Sequence, residues 1–235
     1  MYHSRLVPIM SIELVELDVE SGAYEGRLNV PEEEQTDAGV VIVPGAGHGP
    51  FGNIFDVVSY ELAGAGRYVF RVETWTNDEE LGEKTLGALQ TEVDAAVEQL
   101  RSRGCSDISV VAKSFGAGIA LSHVPDEVDR LLLWAPAVRA GVDPSDATAL
   151  DDRLGDADET LIGIADLDHV DVPVRILIGD EDRIPIEGDA ADIPPSTCQS
   201  IADAVGGDVR VIPGENHSFN ENRTAIVEES LDYLV

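Results

Sequence analysis

Cysteine is nearly absent from this chain: Cys105 and Cys198 are the only two, with no C-x-x-C spacing and no cluster with histidine. That excludes a disulfide framework and a structural zinc site, and it fits a reducing compartment. No uninterrupted apolar run approaches the roughly 18 to 20 residues that a membrane span needs. The N-terminal "MYHSRLVPIMSIELVEL" meets acidic residues soon after its one basic residue and offers no small-residue cleavage site, so no signal peptide is expected. Basic residues are scarce: 15 Lys plus Arg face 46 Asp plus Glu, for a formal net charge of −31. Such a surface repels nucleic acid and anionic membrane, and neither is an expected partner. There is no internal repeat, no low-complexity tract and no G-x-x-x-x-G-K-[ST] phosphate loop.

What is present points to an ordered fold. The chain has 235 residues and is 43% hydrophobic, enough to bury one sizeable core, and a single domain over 1–235 is expected. Disorder does not explain the charge, because periodic apolar segments run throughout. Self-repulsion of this size is tolerable where salt screens it, since the Debye length falls to about 3 Å at 1 M. The composition therefore fits a cytoplasmic protein from a high-salt organism.

Eight segments have β character. "SIELVELDV" alternates with period two, and "AYEGRLNV" follows Ser21-Gly22, so the pair reads as a hairpin. "GVVIV" is a continuous β-branched run suited to a strand buried on both faces. "RYVFRV", "DISVV", "DRLLLWA", "VPVRILI" and "GDVRVI" follow, mostly separated by helical patterns such as "IFDVVSYELAGA" and "TLGALQTEVDAAVEQLRSR". Strands alternating with helices predict an α/β fold with a doubly wound, mostly parallel eight-stranded sheet and an antiparallel hairpin at one edge. Residues 139–171 break the rhythm, with ten Asp or Glu against two Arg, and predict a short acidic lid or excursion. Their spacing matches no D-x-D-x-D-G calcium loop.

"ISVVAKSFGAGIAL" compresses a strand, a sharp turn and a helix into fourteen residues. Around Ser114 the pattern is small-x-Ser-x-small, with Ala112 two before and Gly116 two after. A nucleophile on such a turn has a strained backbone that tolerates only small residues at those positions. The turn lifts the hydroxyl above the carboxyl ends of the strands and aims helix N-terminal N–H groups at it. Lys113 is expected to point away, since the turn exposes the serine. A serine needs a base, and the base needs an acid to orient it. Later strand ends supply both: Asp180, Glu181 and Asp182 follow "VRILIG", and His217 follows "DVRVIPG".

With the order Ser, acid, His in place, the chain resembles an α/β-hydrolase over nearly its whole length. The resemblance implies that Asp182 is the acid, from Gly179-Asp180-Glu181-Asp182-Arg183-Ile184-Pro185, with Asp180 as the alternative. It implies the base His217, from Gly214-Glu215-Asn216-His217. It also assigns an oxyanion hole to backbone N–H groups of Ala46, in the loop after "VVIV", and of Phe115, with Gly47 as the alternative to Ala46. Here the usual His-Gly pair is replaced by Pro44-Gly45, and the first elbow glycine by Ala112. His48 and Trp75 are the expected substrate-lining residues. The implied function is a serine hydrolase, carboxylesterase-like, acting on a small carboxylic ester or thioester without a cofactor. The short acidic excursion disfavours a large lipid substrate. Two other classes compete. Gly45-x-Gly47 is half of a Rossmann fingerprint, but Pro50 occupies the third glycine position and two strands precede the loop. A hydrolase-fold binding module without activity is the other, since fold does not entail function.

Overall fold

The structure is a computed structural model that describes residues 11–32, 36–47, 49–136, 167–186, 189–192 and 195–235. Strands β1 (Ser11–Val19) and β2 (Gly22–Val30) form an antiparallel hairpin whose register closes at Val19 opposite Gly22. Then come β3 (Ala38–Val43), α1 (Asn53–Gly64), β4 (Tyr68–Val72), a single-turn α2 (Asp78–Gly82) and α3 (Leu86–Arg101). β5 (Asp107–Lys113) leads directly into α4 (Phe115–Ser122), followed by β6 (Arg130–Trp134) and β7 (Val174–Gly179). A ribbon of β8 (Arg183–Ile186) and β9 (Asp189–Asp192) precedes α5 (Pro195–Val205), β10 (Asp208–Ile212) and α6 (Arg223–Leu234).

The eight predicted strands make one sheet in the order β1-β2-β4-β3-β5-β6-β7-β10, antiparallel at β1–β2 and β2–β4 and parallel elsewhere. β3 is buried along its whole length, as a strand covered on both faces must be. The helices pack in pairs, α1 with α6 and α3 with α4. Core residues such as Leu62, Val69, Leu100, Val111, Leu132 and Ile176 are almost completely buried in one contiguous cluster. Truncating any of the core leucines to alanine is expected to cost about 2–5 kcal/mol.

This order places the functional region. β4 and β5 lie on opposite sides of β3, so the winding reverses there, and ligands of open α/β sheets bind outside strand carboxyl ends at such a reversal. Val43 pairs with Ala112, which brings the loop after β3 beside the turn after β5.

The sequence pattern does not reveal α2 or the β8–β9 ribbon. Pro185, the last residue of the segment that carries Asp182, pairs with Ala190 inside the ribbon. A proline lacks the N–H a central strand needs, but a two-stranded ribbon has open edges that tolerate it. Most of the predicted excursion, 139–166, lies outside the described residues. Its last part turns against the core: Leu167 and Val170 are buried, and the His169 ring bonds the Leu121 carbonyl at 2.8 Å.

Candidate active site

β5 ends at Lys113 and α4 starts at Phe115, leaving Ser114 alone to make the turn. It does so at φ 53° and ψ −118°, a region that side-chain-bearing residues rarely enter. The neighbours explain the small-residue pattern. A Cβ on Gly116 would stand 2.2 Å from the Pro44 carbonyl oxygen and 2.8 Å from that of Val43. Ala112 is fully buried, and its methyl is accommodated where the pattern prefers glycine. Asn53, Ala135 and Phe219 are the other described non-glycine residues with positive φ. They begin α1, follow β6 and follow the histidine loop, so strained backbone gathers around the strand ends, as it does at functional sites.

The three expected side chains meet. His217 Nε2 lies 2.9 Å from Ser114 Oγ, and His217 Nδ1 lies 2.8 Å from Asp182 Oδ1. A carboxylate only accepts, so the Nδ1–H donates to Asp182 and the unprotonated Nε2 accepts a hydrogen bond from the Ser114 hydroxyl. Asp182 is 4% exposed, whereas Asp180 turns outward to a different task. Its Oδ1 accepts from the Gly214 N–H at 2.6 Å and ties the end of β7 to the end of β10. Of the other described histidines, His123 pairs with Asp94 and His169 with the Leu121 carbonyl.

Gly179 and Glu215 fix the histidine loop. A Cβ on Gly179 would meet the Glu215 carbonyl oxygen at 2.0 Å, so the loop crosses β7 at backbone contact and only glycine fits beneath it. The Glu215 side chain is fully buried and accepts from the N–H groups of Asn216 (2.9 Å), Glu221 (3.1 Å) and Asn222 (2.6 Å). Sequence reasoning passed over Glu215, since one more acid in so acidic a chain carries no signal of burial.

The loop after β3 passes over the serine: a Cβ on Gly45 would lie 3.2 Å from Ser114 Cβ. Neither the Ala46 nor the Phe115 N–H has an acceptor among the described residues. Gly47 borders open space, and His48 lies outside the described residues. Trp75 is 3% exposed and stands behind the loop, its indole N–H donating to the Gly45 carbonyl at 3.3 Å and its ring edge-on to Phe115. It thus supports the loop from the core side. Of the half-fingerprint pair, Gly45 serves close passage over Ser114 and Gly47 borders open space.

Burial dominates the ionisable groups nearby. Desolvation pulls Lys113 down to about 8, with the Asp182 charge opposing it, and pushes Cys198 up to about 12, with Asp182 reinforcing it. Among the described residues, no three His, Cys, Asp or Glu side chains converge as a metal ion would require. No described helix is long and apolar enough to cross a membrane.

No protein-family model and no curated protein sequence matches this chain. Solved structures do. Est1E from Butyrivibrio proteoclasticus superposes with a TM-score of 0.73 at 17% identity, over 94% of this chain and 96% of that one. Dienelactone hydrolase from Anabaena variabilis gives 0.67 at 16%, over 95% and 96%. The Pyrococcus furiosus esterase Pf2001 gives 0.69 at 13%, over 96% and 92%. The chain therefore has the α/β-hydrolase fold, nearly end to end.

Proposed function

We propose that this protein is a serine hydrolase that cleaves small carboxylic esters or thioesters through an acyl-enzyme. One observation carries the reading: Ser114 Oγ, His217 and Asp182 form an unbroken hydrogen-bond chain of 2.9 and 2.8 Å on a strained turn. In the first step Ser114 Oγ attacks the substrate carbonyl carbon while His217 Nε2 takes the hydroxyl proton. Asp182 holds the ring in the required tautomer and stabilises the imidazolium. The carbonyl oxygen becomes an oxyanion facing the N–H groups of Ala46 and Phe115; each such donor is worth about 3 kcal/mol of transition-state stabilisation. His217 then returns the proton to the leaving alcohol or thiol, leaving an ester on Ser114. Water, deprotonated by His217, attacks that ester, and the acid product departs with Ser114 restored. No cofactor enters this sequence of steps.

The esterases and the dienelactone hydrolase among the structural neighbours support ester cleavage, and Est1E is also known with ferulic acid bound. The strongly negative surface supports a small-molecule substrate in a salt-rich cytoplasm over a nucleic-acid or membrane partner. The test is turnover of p-nitrophenyl acetate and butyrate. Ser114→Ala is expected to lose about four to six orders of magnitude in kcat. A fluorophosphonate probe is expected to label the Ser114 peptide in the wild type. Undiminished turnover in Ser114→Ala, or labelling only elsewhere, overturns the assignment and leaves the binding-module reading in its place.

A further inference from the structure

We propose that the cavity between the N-termini of α1 and α6, walled by Lys113 and Arg223, binds a small oxyanion, a carboxylate or a phosphate. The cavity has a volume of about 150 Å³ and lies on the α1–α6 side of the sheet. Its described lining includes neither Ser114 nor His217, so the inference goes beyond the hydrolase reading and does not rest on it.

Lys113 is the central observation. It ends β5 and is 4% exposed, yet among the described residues its ammonium has no hydrogen-bond or ion-pair partner. Its nitrogen lies over the Phe219 ring, 5.8 Å from the centroid. The attraction of Asp182 reaches it only at longer range, because that carboxylate is engaged with His217. Burying an unpaired cation is costly, and an anion placed against it offsets the cost. Arg223, an exposed side chain at the rim, also has no carboxylate partner among the described residues, although Arg67, Arg71, Lys84 and Arg175 each hold one. In a chain with three acids for every base, two unpartnered cations at one cavity are unexpected.

The rest of the lining matches the same chemistry. Ser218 brings a hydroxyl, and Asn53 and Asn220 bring side-chain amides; no described lining residue is a carboxylate. The Asn220 carbonyl oxygen already accepts from Asn216 at 2.8 Å, which leaves its NH2 group to donate. Asn53, the first residue of α1, follows Gly52, which has no side chain to cap the helix. The N–H groups of that first turn, with the helix dipole behind them, favour negative charge, and Asp56 of the same turn, paired with Arg71, already bonds the Gly52 backbone there.

Lys84 and Lys113 are the chain's only lysines, so 15N-lysine labelling gives two side-chain signals to follow by NMR. Inorganic phosphate is titrated into the full chain at constant ionic strength and near pH 6, where Lys113 is charged. The Lys113 signal is expected to shift to saturation while that of Lys84, paired with Glu92, stays in place. Arg223→Gln is expected to weaken the apparent affinity about ten-fold, the loss of one charge-assisted hydrogen bond. Its Lys113 signal without phosphate reports that the cavity is still formed. A stationary Lys113 signal, parallel drift of both lysines, or an Arg223→Gln variant that titrates like wild type overturns the proposal. Acetate in place of phosphate compares the two oxyanions. The source is read from p-nitrophenyl hemisuccinate against butyrate. A kcat/KM preference for the charged acyl group that Arg223→Gln removes marks an anion carried by the substrate; equal values mark a free one. The NMR readout stands even if neither ester is turned over.

Discussion

Lys113 and Ser114 are adjacent in the chain and opposite in circumstance: one is sealed in, the other is turned out by its backbone. Lys113 titrates at about 8, below its usual 10.5, because burial penalises its charge. A depressed lysine makes the unfolded chain the better proton binder between those values, so its contribution to stability rises with pH from about 8 to about 10.5. At neutral pH the cost is present in full, on the order of 3 kcal/mol. Lys113→Met is therefore expected to be more stable than wild type in urea at pH 7, with the gain shrinking by pH 10. A variant less stable at pH 7 contradicts the account. Gly116→Ala is expected to act the other way, since its methyl meets two backbone carbonyls. A loss of about 1–3 kcal/mol in thermal or urea unfolding is expected, because neither oxygen can rotate away. The meeting of Ser114, Asp182 and His217 could be expected from the sequence, because the chain order and strand ends mark the region and the family resemblance favours Asp182 over Asp180. Trp75, Glu215 and Lys113 were not, because what distinguishes them is burial and partners from distant segments: Trp75 meets Gly45, and Glu215 collects three N–H groups. Lys113 in particular reads as a tolerated passenger until its surroundings are seen.

The β10–α6 loop shows how a short segment without regular structure can hold a side chain in place. Gly214 enters it at φ 70°, Asp180 clamps its start, and the Glu215 carboxylate gathers N–H groups from both its ends. Removing Glu215 leaves three N–H groups without their acceptor, those of half-buried Asn216 and Asn222 and of exposed Glu221, at up to about 1–3 kcal/mol each where water cannot reach. Glu215→Ala is thus expected to raise hydrogen exchange at Asn216, Glu221 and Asn222 while β3 and β5 stay protected. Glu215→Gln, which keeps one carbonyl oxygen, is expected to restore part of that protection. Equal protection in wild type and Glu215→Ala counts against the scaffold role. Regular elements were easier to read than this loop. All eight sheet strands follow from apolar runs and period-two alternation, and α1 and α3 from their helical patterns. The strand order goes beyond that pattern, since pairing joins residues far apart in sequence, such as Val43 and Ala112. α2 and the β8–β9 ribbon escaped for a local reason: four or five residues are too few to show a period.

Charge belongs to no single contact. The chain carries −31, and its cations are largely committed to local pairs, as where Arg175 meets both Asp208 and Asp232. The exposed pairs, such as Arg101 with Glu127, contribute little, on the order of 0–1 kcal/mol each, and salt weakens them. Repulsion among the surplus carboxylates is the larger collective term, and salt weakens that too, in the stabilising direction. The two effects oppose each other, and the excess of 46 acids over 15 bases decides the sign. Thermal unfolding in KCl from about 0.1 M to about 2 M is expected to show the midpoint rising steeply at first. The rise should flatten near 1 M, where the screening length of about 3 Å is shorter than the spacing of surface charges. NaCl should give the same initial rise, because screening depends on ionic strength and not on the cation. A midpoint that does not move, or one that climbs only in proportion to salt with no early phase, would sink the salt-adaptation reading. Neither result would disturb Ser114, His217 and Asp182, whose short hydrogen bonds lie within the fold and are little affected by screening beyond a few ångströms.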